Sequence, residues 1–276
     1  MWSGHVEARG AAEWRSLLAA PVPGQHIAQL YTDPEFLACA VCDFAAEGLR
    51  AGDAVIIIAT PPHWREISDR LESQRFDLDD LQRRAQLTVL DAASTLARLL
   101  VDGMPDPERF QAVIGAAIGA ARSAGYRRVR AFGEMVDLLR RTDVTATIRL
   151  EELWNDLLAT HGASLLCGYS MDPFDAGIYR GLLQRVCAVH SDLIPAEDYS
   201  RLEEAVERAY AEVFGSADDA GFLRRVFLAE YPRPSAMPDA EAAILAAREF
   251  VPTTIAGLLE KARDHYQASA APRFGD

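Results

Sequence analysis

Two acidic side chains directly follow a segment that has the character of a buried strand, residues 129–132. Glu134 comes immediately after Gly133, and Asp137 lies three residues further on. In parallel α/β sheets, ligands bind in the loops at the carboxyl ends of the strands, so Glu134 is a predicted site residue. The alternative interpretation is a helix N-terminus, because both acids would also interact favourably with the dipole of a helix over Met135–Arg140.

Other polar, aromatic and sulfur side chains lie near predicted strand ends and could gather with this glutamate at one edge of a sheet. The candidate ligand-binding residues are His26, Tyr31, Asp33, Glu35, Phe132, Glu134, Cys167, Tyr169 and His190. We expect Glu134, His26 and Tyr31 to surround one cavity, although His26 begins its strand. For each residue alone a hydrogen-bonded core or capping role is an equal alternative, and a helix cap explains Asp33 fully.

No catalytic residue, metal ligand or cofactor is predicted. The histidines show neither the H-x3-H nor the H-E-x2-H spacing of a zinc site. Cys39 and Cys42 form a C-x-x-C pair inside an apolar helical stretch, without the turn residues of a zinc knuckle, so all four cysteines are predicted to be buried small hydrophobic residues. The segment from Gly168 to Asp172 does not spell the G-x-S-x-G motif of serine hydrolases.

The composition is that of an ordinary globular protein, with 276 residues, 50% hydrophobic content and a net charge of −13. Nothing in it resembles the basic surface that binds nucleic acid or anionic membrane. No apolar run is long enough to span a bilayer, and no signal-peptide pattern begins the chain, so a cytoplasmic location is expected. Of the 28 basic Lys and Arg residues, Lys261 is the one lysine, and no glycine-rich segment approaches it.

The periodicity of the chain predicts strands alternating with helices, which is typical of a mostly parallel α/β sheet of five or more strands with helices on both faces. The predicted strands are near residues 26–31, 54–60, 87–91, 126–132 and 163–169. Long helices are predicted over 108–125 and 174–190, and a helix is predicted over 95–101, where the glycine and prolines of residues 103–107 end it. We expect a helical lead over residues 1–22, an α/β domain over 23–194 and an acidic, all-helical subdomain over 195–276.

That last segment has no strand pattern and carries 15 acids against 9 bases from residue 197 onward, which disfavours a DNA-reading helix-turn-helix. Its helices are predicted at about 196–214, 217–231, 239–250 and 253–267. The amphipathic pattern of the first of them predicts that the tail docks on the α/β core or on a second subunit.

Six phrases in order carry a family resemblance: His26-x4-Tyr31-x-Asp33-x-Glu35-Phe36, Gly48-Leu-x2-Gly52-Asp53, Phe132-Gly-Glu-Met-Val, Leu150-Glu-Glu-Leu-Trp-Asn, Leu166-Cys-Gly-Tyr169 and Cys187-Ala-Val-His190. Together they resemble the MEDS domain, the methanogen/methylotroph, DcmR-type sensory domain, over residues 23–191. The resemblance implies a degenerate relative of RecA/KaiC-type P-loop domains. It also implies the sensing of small, hydrocarbon-derived molecules, in association with histidine kinases or DNA-binding modules.

The residues argue against ATP hydrolysis independently of the resemblance. A phosphate-binding loop needs glycines and a lysine after its first strand, whereas the loop from Tyr31 to Phe36 has neither and carries two acids. We therefore expect a non-enzymatic sensory protein that binds a small molecule or a signalling partner, such as a histidine kinase or a regulator of transcription. No direct nucleic-acid or membrane contact is expected, and a homo-oligomer is an open expectation. The alternatives are a nucleotide-binding enzyme with an altered phosphate loop and a pure interaction module with a filled pocket.

Overall fold

The computed structural model describes residues 11–269, with side chains from residue 14 onward. The predicted lead over residues 1–22 therefore lies partly outside the described residues, and within them one helix, α1, spans Ala11–Ala19. The end of the predicted tail, residues 270–276, also lies outside them. Across residues 11–269, no helix combines the length and the apolar character needed to cross a bilayer.

The described part of the chain contains eight strands. They are β1 (His26–Tyr31), β2 (Ala54–Ala59), β3 (Leu87–Asp91), β4 (Leu100–Val101), β5 (Met104–Pro105), β6 (Val129–Gly133), β7 (Ser164–Ser170) and β8 (Asp192–Ile194). Six of them form one all-parallel sheet in the order β3-β2-β6-β7-β1-β8, and β4 and β5 form a separate hairpin. The predicted parallel α/β class is confirmed.

Helices flank this sheet and form the C-terminal region. After α1, the α/β part contains α2 (Pro34–Arg50), α3 (Pro61–Ser73), α4 (Leu78–Arg83), α5 (Ala92–Leu99), α6 (Pro107–Phe110), α7 (Ala116–Ser123), α8 (Met135–Arg140), α9 (Val144–His161) and α10 (Leu182–Val189). The tail contains α11 (Tyr199–Phe214), α12 (Ala217–Glu230), α13 (Asp239–Phe250) and α14 (Ile255–Ala268). The four helices predicted for the tail are confirmed, and no strand occurs between residues 197 and 269.

The centre of the sheet is built from continuously apolar strands. Every residue of β2 is buried, as expected for a strand that is covered on both faces. β6 lies between β2 and β7, and β1 lies beside β7, so the carboxyl ends of these strands share one edge of the sheet. Loops after β1, β6 and β7 are thereby brought to the same side of the molecule.

An ion pair lies buried among these apolar strands. The Arg130 side chain, in β6, is 4% exposed, and its Nε donates a hydrogen bond to Asp53 Oδ2 at 2.8 Å. Its Nη1 also donates to the backbone carbonyls of Leu18, Ala19 and Phe44, at 3.0 to 3.2 Å. These bonds compensate the buried charge and tie α1 and α2 to the sheet.

The tail packs against the α/β part through α14. Arg263 Nη2 donates to Asp172 Oδ2 at 2.8 Å, in the loop after β7. The rings of Tyr266 and Phe174 lie 5.4 Å apart between centroids. The tail is therefore docked on the α/β core, which is one of the two outcomes that its amphipathic pattern predicts. The division into domains at residues 23–194 and 195–276 stays a prediction.

Two local predictions were wrong in part, and one was right with an irregularity that the sequence does not reveal. The helix predicted over 174–190 is confined to α10, because turns precede it and Gly181 adopts a φ of +106° that ends the turn. The helix predicted over 108–125 is confirmed, since the chain is helical from Pro107 to Ser123 and contains one π-helical turn at Gln111–Gly115. The helix predicted over 95–101 spans Ala92–Leu99 instead, because Leu100 and Val101 form β4 and the next two residues, Asp102 and Gly103, close the β4–β5 hairpin at positive φ.

Candidate functional site

The structure places six of the nine predicted site residues at two separate places. His26 is the first residue of β1 and Tyr31 the last, so their Cα atoms are about 16 Å apart along an extended strand. The expected gathering of His26, Tyr31 and Glu134 around one cavity is therefore wrong for His26. Tyr31 and Glu134 do lie at the same carboxyl edge, as predicted, because each ends or follows a parallel strand.

At the carboxyl edge, Glu134 joins neighbouring elements through both carboxylate oxygens. Its Oε1 accepts a hydrogen bond from the backbone N–H of Thr60, the residue that precedes α3. Its Oε2 lies 2.6 Å from His63 Nδ1, and the His63 ring makes an edge contact with the Tyr31 ring at 5.9 Å. The hydrogen bond to Glu134 raises the pKa of His63 against the opposing effect of burial. Glu134 thus holds the start of α3 against the end of β6.

Asp137 fixes the next part of this edge. Its Oδ1 accepts from Arg140 Nη2 at 2.8 Å and from the backbone N–H of Ser170 at 2.8 Å, so α8 is tied to the end of β7. Its Oδ2 accepts from Arg141 at 3.0 Å. Burial, followed by the charges of Asp137 and Glu134, raises the pKa of the Tyr31 hydroxyl, which therefore stays protonated at neutral pH.

A cleft of about 270 Å³ opens beside these residues, between the α/β part and α14. We call it the carboxyl-edge cleft. Its wall is formed by the ends of β1, β7 and β8 and by the last helix, through Tyr31, Thr32, Asp172, Pro173, Phe174, Pro195, Ala196, Arg263, Tyr266 and Gln267. Glu134 does not line the cleft, so the carboxylate predicted to face a ligand instead braces the edge beside it.

Aromatic rings and one charged pair give the cleft its chemistry. The guanidinium of Arg201 lies 3.9 Å from the centroid of the Tyr266 ring and holds that ring from the tail side. Arg263 lies 5.9 Å from the centroid of the Phe174 ring and is held by Asp172. The cleft therefore offers flat apolar surface together with a cation and a carboxylate, a combination typical of small-molecule sites.

The second place is a cluster buried between the sheet and two helices. We define the buried histidine cluster as His26, Glu151, Cys167, Tyr169 and His190, each of which is 6% exposed or less. Alternate residues of a strand share one face, and Ala28 pairs with Cys167, so His26 of β1 faces the same side as Cys167 and Tyr169 of β7. Glu151 reaches them from α9, and His190 from the residue that ends α10.

The polar atoms of the cluster converge on the Glu151 carboxylate. Its Oε2 lies 3.3 Å from His26 Nε2 and 3.6 Å from Cys167 Sγ. Its Oε1 lies 3.3 Å from His190 Nε2 and accepts a hydrogen bond from the Tyr169 hydroxyl. His26 Nε2 and Cys167 Sγ are 3.5 Å apart. Four elements of the fold therefore present polar atoms to one point inside the core.

Hydrogen bonds outside the cluster fix both imidazole rings. The amide of Asn155 donates to the carbonyl of Val189, which leaves its Oδ1 to accept from His26 Nδ1 at 2.8 Å. His190 Nδ1 lies 2.8 Å from the carbonyl of Val186, which can act as an acceptor alone. Both Nδ1 atoms are therefore donors, and the Nε2 atoms face the cluster.

Burial controls the ionisation of this cluster. It lowers the pKa of His26, and the neighbouring His190 ring acts in the same direction. Burial, and then the Glu151 carboxylate, raises the pKa of the Cys167 thiol and of the Tyr169 hydroxyl well above their ordinary values. Without a further cation, the thiol and the phenol therefore stay protonated.

The buried histidine cluster and the carboxyl edge around Glu134 lie inside a segment that matches a known family. The model of MEDS, the methanogen/methylotroph, DcmR sensory domain, matches residues 25–191 of the chain. The chain belongs to the MEDS family. No curated protein sequence matches it. Membership indicates a sensory or regulatory role, and it places the carboxyl edge and the buried histidine cluster in the MEDS domain, with the tail helices following it.

The other three predicted site residues lie away from both places, and a role for them in ligand binding stays a prediction. Asp33 caps α2, where its side chain accepts from the Glu35 N–H at 2.9 Å. Glu35 forms an exposed pair with Arg70 at 3.2 Å. Phe132 is fully buried, with its ring beside Gly168.

Sequence reasoning grouped Cys167, Tyr169 and His190 with His26, and the structure brings these together in the MEDS domain. It missed Glu151, which joins them, and His63, which binds Glu134. Glu151 and Asn155 are four residues apart and thus share one helix face, which is the signal that could have shown two polar groups facing the sheet. The cleft residues of α14 carry no comparable signal.

Proposed function

We propose that this MEDS protein is a non-enzymatic sensor that binds a small molecule in the carboxyl-edge cleft and transmits its presence through α14. The observation that carries the proposal is the composition of the cleft wall, which combines the ends of β1 and β7 in the MEDS domain, and of β8 just after it, with a helix of the tail. A ligand in that position contacts both parts, so its binding energy depends on how they are docked.

The cleft residues define the chemistry of the ligand. A volume of about 270 Å³ is just below the usual range of small-molecule pockets and suits a molecule of few heavy atoms. Phe174 and Tyr266 offer ring faces for an apolar portion, and Arg263 offers donors to a carbonyl, hydroxyl or carboxylate oxygen. A short hydrocarbon chain with one oxygen function matches this surface.

The output follows from the contacts that a ligand would disturb. Arg263 binds Asp172 and the carbonyl of Phe174, and these bonds hold α14 on the loop after β7. A ligand that competes for Arg263 would loosen α14, whereas one that bridges the two walls would fix it. Either change alters the surface that the tail presents to a protein partner, such as a kinase or a regulator of transcription.

The loop after β1 supports a role without ATP hydrolysis. Asp33 occupies the N-cap of α2 and bonds to its first turn, and Pro34 removes an amide donor there. The helix N-terminus that would receive a phosphate in a P-loop domain is thus occupied by a carboxylate. The alternative function is a nucleotide-binding enzyme, and among the described residues no glycine-rich phosphate-binding loop supports it.

A thermal-shift screen tests the proposal. Full-length protein would be heated with a panel of short-chain alcohols, aldehydes and carboxylic acids, and separately with Mg-ATP. A ligand at 100 times its Kd stabilises the folded state by about 2.7 kcal/mol, so a hit should raise the Tm. Hydrogen exchange of α14 with and without the hit measures whether docking of the tail changes.

Matched variants decide where the hit binds. Tyr266→Ala removes a wall of the cleft and should abolish the shift, whereas Phe222→Ala changes an aromatic ring that is 61% exposed on α12 and should leave it intact. A shift that survives Tyr266→Ala, or protection of α14 that does not respond to the hit, would refute the proposal. A strong response to Mg-ATP would favour the nucleotide-binding alternative.

A further inference from the structure

We infer that the buried histidine cluster is a binding site for a divalent transition-metal ion of the Zn²⁺ type. The ligands are His26 Nε2, His190 Nε2, Cys167 Sγ and one oxygen of Glu151. These four residues are buried, and their ligand atoms all lie within 4.8 Å of one another. The inference does not depend on the carboxyl-edge cleft, since it concerns a different part of the MEDS domain.

The donor set selects the class of ion. Two imidazoles, one thiol sulfur and one carboxylate are the side chains that bind Zn²⁺ and its neighbours in the first transition series. Mg²⁺ and Ca²⁺ prefer sets made of oxygen alone. Four protein ligands also complete a tetrahedron, which is typical of closed, structural zinc sites.

The distances match the edges of such a tetrahedron. Bonds of about 2.0–2.1 Å to nitrogen or oxygen and about 2.3 Å to sulfur place neighbouring ligand atoms about 3.3–3.6 Å apart. His26 Nε2 lies 3.3 Å from Glu151 Oε2 and 3.5 Å from Cys167 Sγ, and that sulfur lies 3.6 Å from the same oxygen. These three atoms therefore form one face of a tetrahedron of the required size.

The imidazole orientations supply an independent observation. Ligand histidines in metal sites usually donate their second N–H to a carbonyl or a carboxylate, and here Asn155 Oδ1 and the carbonyl of Val186 accept those bonds. The Nε2 atoms then direct lone pairs into the cluster. His190 Nε2 is buried and makes no hydrogen bond, although it lies 3.3 Å from Glu151 Oε1.

A hydrogen-bonded core without metal is the competing explanation. It accounts for the Tyr169 hydroxyl, which donates to Glu151, but it leaves His190 Nε2 buried without a partner, a costly arrangement. With both rings neutral, it also faces the lone pairs of two imidazoles toward a carboxylate. A cation among them satisfies all of these atoms, and Tyr169 would then orient the Glu151 carboxylate.

The elements that supply the ligands indicate what the ion would do. His26 begins β1, Cys167 lies in β7, Glu151 in α9 and His190 follows α10. Since no coordination position is left for a substrate, the ion would act as a structural tether. It would anchor the end of α10, from which the chain continues into β8 and the tail.

Cobalt loading during folding tests the inference, because a buried site is filled most easily while the chain folds. The full chain would be expressed in medium supplemented with Co²⁺ and, in parallel, with Zn²⁺, and its metal content would be measured by mass spectrometry. We expect one equivalent of metal, with the visible bands of tetrahedral Co²⁺ and a near-ultraviolet sulfur-to-cobalt charge-transfer band. Substoichiometric metal after both preparations would overturn the inference.

Variants separate the proposed ligands from buried neighbours. Cys167→Ala should remove the charge-transfer band, whereas Cys187→Ala, at another buried cysteine of the same domain, should retain it. Asn155→Ala should weaken affinity by roughly 10- to 100-fold, measured by chelator competition, because it frees the His26 ring. Circular dichroism verifies folding. An unchanged band in folded Cys167→Ala protein would refute the assignment even if the wild type binds metal.

Discussion

Glu241 provides a test of how the tail is held together, because it is an acid in a fully buried position on α13. Neither of its carboxyl oxygens has a hydrogen-bond partner in another residue. Burial raises the pKa of this carboxyl from 4.5 to about 8, and the carboxylates of Glu203 and Asp239 add to the effect. The folded protein therefore keeps Glu241 protonated at neutral pH, whereas the unfolded chain ionises it.

The magnitude follows from the two pKa values. Each unit of difference corresponds to about 1.36 kcal/mol, and a group whose pKa is raised in the folded state contributes stability that is complete below the unfolded pKa. That contribution is lost as the pH rises toward the folded pKa of about 8. Between about pH 5.5 and about pH 8, the unfolding free energy should fall by about 3 kcal/mol from this group alone.

Urea unfolding followed by circular dichroism at both pH values measures this loss. Glu241→Gln keeps the shape of the side chain but cannot ionise, so its unfolding free energy should lack that part of the decrease. Glu207→Gln, at an exposed position on α11, serves as the matched control and should keep the wild-type pH dependence. If Glu241→Gln and wild type lose the same stability between the two pH values, the buried, protonated carboxyl is refuted.

Two further predictions concern packing in the α/β part, and urea unfolding at one pH measures both. Arg130→Ala should cost about 3–5 kcal/mol, because it removes the buried partner of Asp53 and leaves that buried carboxylate with the exposed Arg128 alone. Arg128→Ala, which removes the 51% exposed partner of the same carboxylate, should cost less than about 1 kcal/mol. Equal losses would contradict the argument. Gly168→Ala places a Cβ 3.2 Å from Leu37 Cδ1 and should cost about 1–3 kcal/mol. Gly119→Ala, which meets nothing within 4 Å, should instead be neutral or stabilising.

The predicted fold followed from patterns that act over short distances. The apolar, β-branched run of β2 predicts a strand buried on both faces, and all of its residues are buried. The tail helices lie within about three residues of their predicted bounds, because prolines and glycines end them and Asp198 and Ser216 cap them. Local signals of this kind do not depend on which elements meet in space.

The missed elements are those whose signals depend on neighbours. β8 is three residues long and exists because Asp192 to Ile194 pair with β1, which no local pattern requires. The break before α10 was missed because its composition suits a helix, although Gly181 turns the chain there. Tertiary contacts overrode propensity at both places.

The candidate sites show the same limit. The rule that strand ends share an edge correctly placed Tyr31 and Glu134 together. The same rule could not predict the neighbours of His26, which begins its strand. Those neighbours come from the helix that covers the strand, so they depend on which face of α9 is turned toward the sheet. The buried glutamate on that helix resembles a surface acid in the sequence, since charged residues flank it on both sides of the chain.

Strand β1 connects the two proposals without making one depend on the other. His26, at its start, belongs to the inferred metal site, and Tyr31, at its end, lines the cleft. A tether at the start of the strand would fix the MEDS domain wall of the cleft, so that a ligand there acts mainly on the opposite wall, α14. If the protein holds no metal and the cleft still binds its ligand, packing alone must hold the MEDS domain wall of the cleft. In that case α14 remains the element that responds to the ligand.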